Sequence, residues 1–101
     1  VDAGIGGAVA EVVGRKLRAL GGERQVLCVT HLAQVAAQAS NQWSVSKGKA
    51  NGAAKGGNSG VSSRVDKLDA KARVEEIARM LGGMEITPTT RRHAAEMLEK
   101  A

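Results

Sequence analysis

The stretch Val26-Leu27-Cys28-Val29-Thr30-His31 decides how this 101-residue chain is read. Its first four residues are apolar without a break, and Val26 and Val29 are β-branched. Polar Gln25 and Thr30 bound the run. It is too short for a helix and does not alternate, which is the pattern of a strand covered on both faces in a parallel sheet. Open α/β sheets bind ligands beyond the carboxyl ends of their strands. His31 stands at that edge. An imidazole there can contact a phosphate, with its protonation set by the neighbouring charge. Spacing alone leaves a second reading open, a histidine that bonds a loop carbonyl. Thr30 has the same two readings, as a phosphate or metal-water ligand or as the closing hydrogen bond of the strand.

On the N-terminal side, Val9, Val12, Val13, Leu17 and Leu20 recur at helical spacing, away from Glu11, Arg15, Lys16 and Arg18. They predict an amphipathic helix to about Leu20 that buries this stripe, with Gly21 and Gly22 ending it in a left-handed cap. Gly4-Ile5-Gly6-Gly7 leads into that helix. Amides at a helix N-terminus can hold an anion, but the spacing matches neither a Walker A loop nor GxGxxG, and a tight turn accounts for the glycines as well. Asp2 reads either as a turn former or as a residue that assists a metal or crosses an interface.

On the C-terminal side, Leu32, Val35, Ala36 and Ala39 predict a short helix, and Trp43 and Val45 alternate with Ser44 and Ser46 as in a half-exposed strand. Residues 48–60 hold five glycines with Lys49 and Lys55 and read as a mobile hairpin loop. Val61 to Leu68 reads as a second strand, antiparallel to the first. Asp69 then caps a helix with Val74, Ile77, Ala78 and Leu81 inward, its Lys and Arg residues forming a solvated face, and Gly82-Gly83 stops it. Thr87-Pro88 opens a last helix through Ala94, Met97 and Leu98, on which His93 reads as a surface residue.

Composition narrows the class. At 43% hydrophobic residues the chain is ordinary for a globular domain, but Trp43 is its only aromatic, so the core is aliphatic. Cys28 is the only cysteine, which excludes an intramolecular disulfide and a cysteine metal cluster; in its apolar run it reads as an inert core residue. No run approaches a membrane span and no signal peptide is visible, so a reducing cytoplasm is expected. The net charge of +5 suits polyanions without requiring one. A start at Val1, inside a loop, reads as a piece of a longer protein.

Three stretches together resemble a known family. They are Val1-Asp2-Ala3-Gly4-Ile5-Gly6-Gly7-Ala8-Val9-Ala10, then Val26 to Leu32 with Gln34-Val35-Ala36-Ala37, then Arg73 to Gly83 with Ile86-Thr87. In these the chain resembles the RecN family, SMC-like proteins whose two ATPase head halves are separated in sequence by a long coiled coil. The resemblance spans all but the 48–60 loop. It implies an α/β fold, a partial P-loop NTPase head lobe of the ABC/SMC type. One buried parallel-type strand, a β-hairpin and about four helices are expected. Residues 1–7 fall in the D-loop region, where Asp2, Gly4, Gly6 and Gly7 meet a second ATP-bound head. Residues 26–32 give the strand and H-loop, with His31 as the switch histidine that contacts the γ-phosphate and positions water.

By the same resemblance the cofactors are ATP and Mg, most of whose ligands, including the Walker B acids, lie outside this chain, and no metal ligand lies within it. The implied partners are a second head in a homodimer, the other half of the head, and DNA through the longer protein. The implied setting is recombination and double-strand break repair of damaged DNA at the nucleoid of the bacterial cytoplasm. Two positions depart from the pattern: Gly6 stands where ABC proteins place an aspartate, and Ala33 where the family often has proline. Alone, the chain is expected to hydrolyse no ATP. The rival reading is a small, basic, non-catalytic module that binds nucleic acid or protein; a third is a structural lobe that self-associates.

Overall fold

The computed structural model describes residues 6–49 and 61–101. The elements run α1 (Gly7–Gly21), α2 (Ala33–Ala36), β1 (Trp43–Lys49), β2 (Val61–Lys67), α3 (Ala70–Gly82) and α4 (Pro88–Lys100). Local chemistry sets their ends. The Asp69 carboxylate accepts from the Ala72 amide at 2.7 Å and starts α3. Thr87 accepts from the Thr90 amide at 3.1 Å, with Pro88 in the first turn, and starts α4. Gly83, at φ +70°, closes α3 in a conformation that side chains with a Cβ resist. The end of α1 is different: Gly22 is right-handed at φ −71°, so the left-handed cap expected there does not form.

The core joins α2, α3 and α4. Ala33, Ala36 and Ala37 pack with Ile77, Ala78 and Ala94, and Val74, Leu81, Met97 and Leu98 flank them, as the helical spacing predicts. Ile77 is the largest fully buried side chain. One such residue contributes only about 1.5–3 kcal/mol, so alanine-to-alanine approach rather than bulk defines this core. Helix α1 joins it through α2. Its buried residues are Ala10 and Gly14; of the predicted stripe Val13 and Leu17 are partly buried, while Val9, Val12 and Leu20 are half-exposed. The reason is distance. A Cβ on Gly14 would stand 3.1 Å from the Gln34 carbonyl and 3.2 Å from the Val35 Cα, so only the small-residue face lets α2 come this close.

The 26–29 segment overturns the reading that opened the sequence. It is not a strand, and Leu27 and Val29 are 87% and 86% exposed. Among the described residues the sheet is β1 and β2 alone, antiparallel, and no strand stands beside 26–29. A parallel strand exists only where neighbours take its amides and carbonyls, and an apolar run cannot supply them itself. Among the described residues the structure is therefore a mixed α and β one of four helices and a hairpin, without the buried parallel-type strand. The hairpin itself forms as expected, Trp43 opposite Lys67 and Val45 opposite Val65. Strand β1 includes Gly48 and Lys49, the start of the predicted glycine-rich loop; the rest of that loop lies outside the described residues.

Candidate functional site

The two sequence-predicted site segments sit at the starts of α1 and α2. Gly6 is the N-cap of α1, extended at φ −132°, and Gly7 is its first residue. The Gly6 side contributes no capping hydrogen bond, no acidic residue lies in the first turn, and a Cβ on either glycine would meet nothing within 4 Å. The first turn of α1 carries amide donors without intrahelical acceptors, at the positive end of the helix dipole. Asp2 and Gly4 lie outside the described residues.

His31 is exposed on the turn into α2. Thr30 Oγ1 accepts from the Leu32 amide at 3.0 Å, which fixes the residues on either side of the histidine, and Leu32 becomes the N-cap of α2. Thr30 therefore makes a closing side-chain hydrogen bond. The far end of α2 is held by a residue that the sequence reading left on a solvated face. The Arg73 guanidinium donates to the carbonyls of Ala36 (3.1 Å), Ala37 (3.4 Å) and Ala39, and its Nε to Gln42 Oε1 at 3.0 Å. Arg18 reaches the Gln38 carbonyl from the other side. Burial, and then the Arg18 charge nearby, push the Arg73 pKa down. Helix C-terminal carbonyls lack intrahelical partners, and a planar five-donor fork suits several at once. Nothing in the sequence marked Arg73, because its partners lie more than thirty positions away.

A cleft of about 760 Å³ opens between the end of α1, the 25–30 segment, the hairpin and α3. Cys28, Thr30, Trp43, Glu76 and Arg79 line it. Cys28 is partly exposed rather than in a core. Burial pushes the Glu76 carboxyl up, but hydrogen bonds from Arg79 and Ser44 outweigh it and hold the group below its ordinary value. A smaller cleft of about 330 Å³ is lined by Glu11, Arg15, Glu96 and the exposed His93. Neither cleft is lined by Gly6, Gly7 or His31. Among the described residues no helix is long and apolar enough to cross a membrane.

No family model matches the chain. It is similar along nearly all its length to proteins named DNA repair protein RecN. It shares 49% identity over 100 residues with that of Xylella fastidiosa strain Temecula1, covering 99% of this chain and 17% of the relative. Identity is 45% over 98 residues with that of Vibrio cholerae, covering 97% of the chain and 16% of the relative. With that of Bacillus subtilis it is 39% over 101 residues, the whole chain against 16% of the relative. The chain thus spans about one-sixth of the length of the curated relatives it matches.

Proposed function

Because this chain is RecN-family sequence over nearly its whole length, we propose that it serves DNA repair as one piece of an ATP-hydrolysing, SMC-like head. The longer protein closes two such heads over nucleotide and couples hydrolysis to double-strand break repair and recombination in the bacterial cytoplasm. The observation that carries this reading is His31, exposed on a turn whose flanking residues are fixed by the Thr30–Leu32 hydrogen bond.

The donor set suits the phosphate end of ATP. An accessible imidazole and the uncapped first turn of α1 are both donors toward anionic oxygens. In the same reading most of the magnesium ligands belong to the rest of the longer protein. ATP, when bound, supplies the phosphoryl group that passes to water. His31 donates to a γ-phosphate oxygen and orients the incoming water, a positioning and electrostatic role. The loop of Asp2, Gly4, Gly6 and Gly7 meets the partner head. The exposed Val26–Val29 segment becomes a strand when the other half of the head places strands beside it.

In the full-length protein His31→Ala lowers ATP turnover on the order of 10²-fold while nucleotide affinity is kept. The 101-residue chain alone turns over none. Unchanged turnover by the variant, or hydrolysis by the isolated chain, contradicts the assignment.

A further inference from the structure

We propose that Arg73 is a positioning residue for His31, acting through α2, the single helical turn that lies between them; the proposal rests on the assignment of His31 to the γ-phosphate. Helix α2 runs only from Ala33 to Ala36. A helix of four residues is roughly 6 Å long and does not persist by itself in water. Groups outside α2 must therefore fix it. Its underside is alanine: Ala33, Ala36 and Ala37 pack against Ile77, Ala78 and Ala94. Methyl groups hold α2 close to its neighbours but interlock little, so its position along that contact is left to directional bonds.

Arg73 supplies those bonds. From α3 its Nη2 donates to the carbonyls of Ala36, at 3.1 Å, and of Ala37 and Ala39. Gln42, itself buried, accepts from Nε at 3.0 Å, so the plane of the guanidinium is held from a second direction. Beyond Ala36 the bonds run on toward the histidine. The Ala36 amide donates to the Leu32 carbonyl at 3.0 Å, and the Leu32 amide donates to Thr30 Oγ1 at 3.0 Å. The string that starts at Arg73 thus ends on the two residues that flank His31. Arg18 adds one bond, to the Gln38 carbonyl at 3.5 Å, which is too long to stand in for it. A displacement of about 1 Å at a positioning group costs up to about 10²-fold in rate, and α2 is too short to absorb one by bending.

A double-mutant cycle in the full-length protein separates positioning from folding. Arg73→Met lowers kcat for ATP about tenfold, while the affinity for a fluorescent ATP analogue is unchanged. In a His31→Ala background the same substitution has no further effect, because the group it positions is gone. A purely structural Arg73 would instead lower turnover by the same factor in both backgrounds, through the fraction folded. Arg73→Lys behaves like Arg73→Met, since one ammonium cannot span the carbonyls and Gln42. Equal factors in the two backgrounds overturn the proposal, as does wild-type kcat in either Arg73 variant or a weakened affinity for the analogue. Wild-type turnover in His31→Ala sinks the γ-phosphate assignment and this role together. An impaired His31→Ala beside a normal Arg73→Met sinks the role of Arg73 alone. Should Arg73→Met lose its helical circular dichroism, Gln42→Leu carries the same cycle: it leaves the guanidinium in place but frees its plane, and the expected fall in kcat is smaller.

Discussion

Arg73 shows how one side chain can hold elements that sequence keeps apart. Its guanidinium ties the carbonyls that end α2 to α3, and its Nε fixes Gln42, whose own carbonyl accepts the Leu68 amide at 2.9 Å. The clamp therefore joins the helices to both roots of the hairpin. Arg73→Met keeps the stem's packing but leaves Gln42 and the α2 carbonyls without that donor. A loss of about 1–3 kcal/mol in urea unfolding is expected. Arg73→Lys recovers little, because a single ammonium cannot reach Gln42 and the carbonyls together. Recovery of wild-type stability by lysine would show that charge alone matters there. His31 belongs to the same scale: the Thr30–Leu32 hydrogen bond holds its turn, and the residue is exposed.

Among the elements, α1 reverses the ordinary logic of an amphipathic helix. Its larger apolar residues Val9, Val12 and Leu20 stay half-exposed while Ala10 and Gly14 are buried, because backbone approach to α2 leaves no room for branches. The glycines of this one helix should therefore respond in opposite directions. Gly14→Val forces α1 and α2 apart and costs about 1–3 kcal/mol. Gly21→Ala, with nothing within 4 Å of the new methyl, is neutral or gains a few tenths of a kcal/mol in helix propensity. Thermal unfolding of the two variants checks this, and equal destabilisation by both would refute the close-approach account.

At the scale of the whole molecule, polar side chains add links from α3 to α4 and to the hairpin. Glu75 of α3 meets Arg91 of α4 at 2.7 Å, and Glu76 meets Ser44 of β1 and Arg79. The hydrogen bond from Arg91 lowers the Glu75 pKa; Glu76 is lowered by its two donors against the opposing effect of burial. Both folded values lie below the ordinary 4.5. Their contribution is thus complete above that pH and is lost as pH falls through the lowered values. The urea midpoint should drop on acidification in that window. The double variant Glu75→Gln, Glu76→Gln should flatten the drop; a drop of the same size in the variant would assign it to other groups.

What the sequence determined by itself is local. The caps at Asp69 and Thr87, the stop at Gly83, the inward stripe of α3 and α4 and the antiparallel hairpin were all legible, because each rests on groups a few positions apart. The family was legible in the motifs around His31, but the histidine itself was read at the edge of a strand that does not form and lies instead, exposed, on the turn into α2. Tertiary structure alone decided the rest. It put Ala10 and Gly14 inward on α1 and made Arg73 a clamp, since both depend on backbone brought in from distant positions. It left Trp43 half-exposed in the lining of the larger cleft while Ser44 bonds to α3. It also left Val26–Val29 exposed: an apolar run records that a strand can be covered, but only neighbouring strands can pair its backbone.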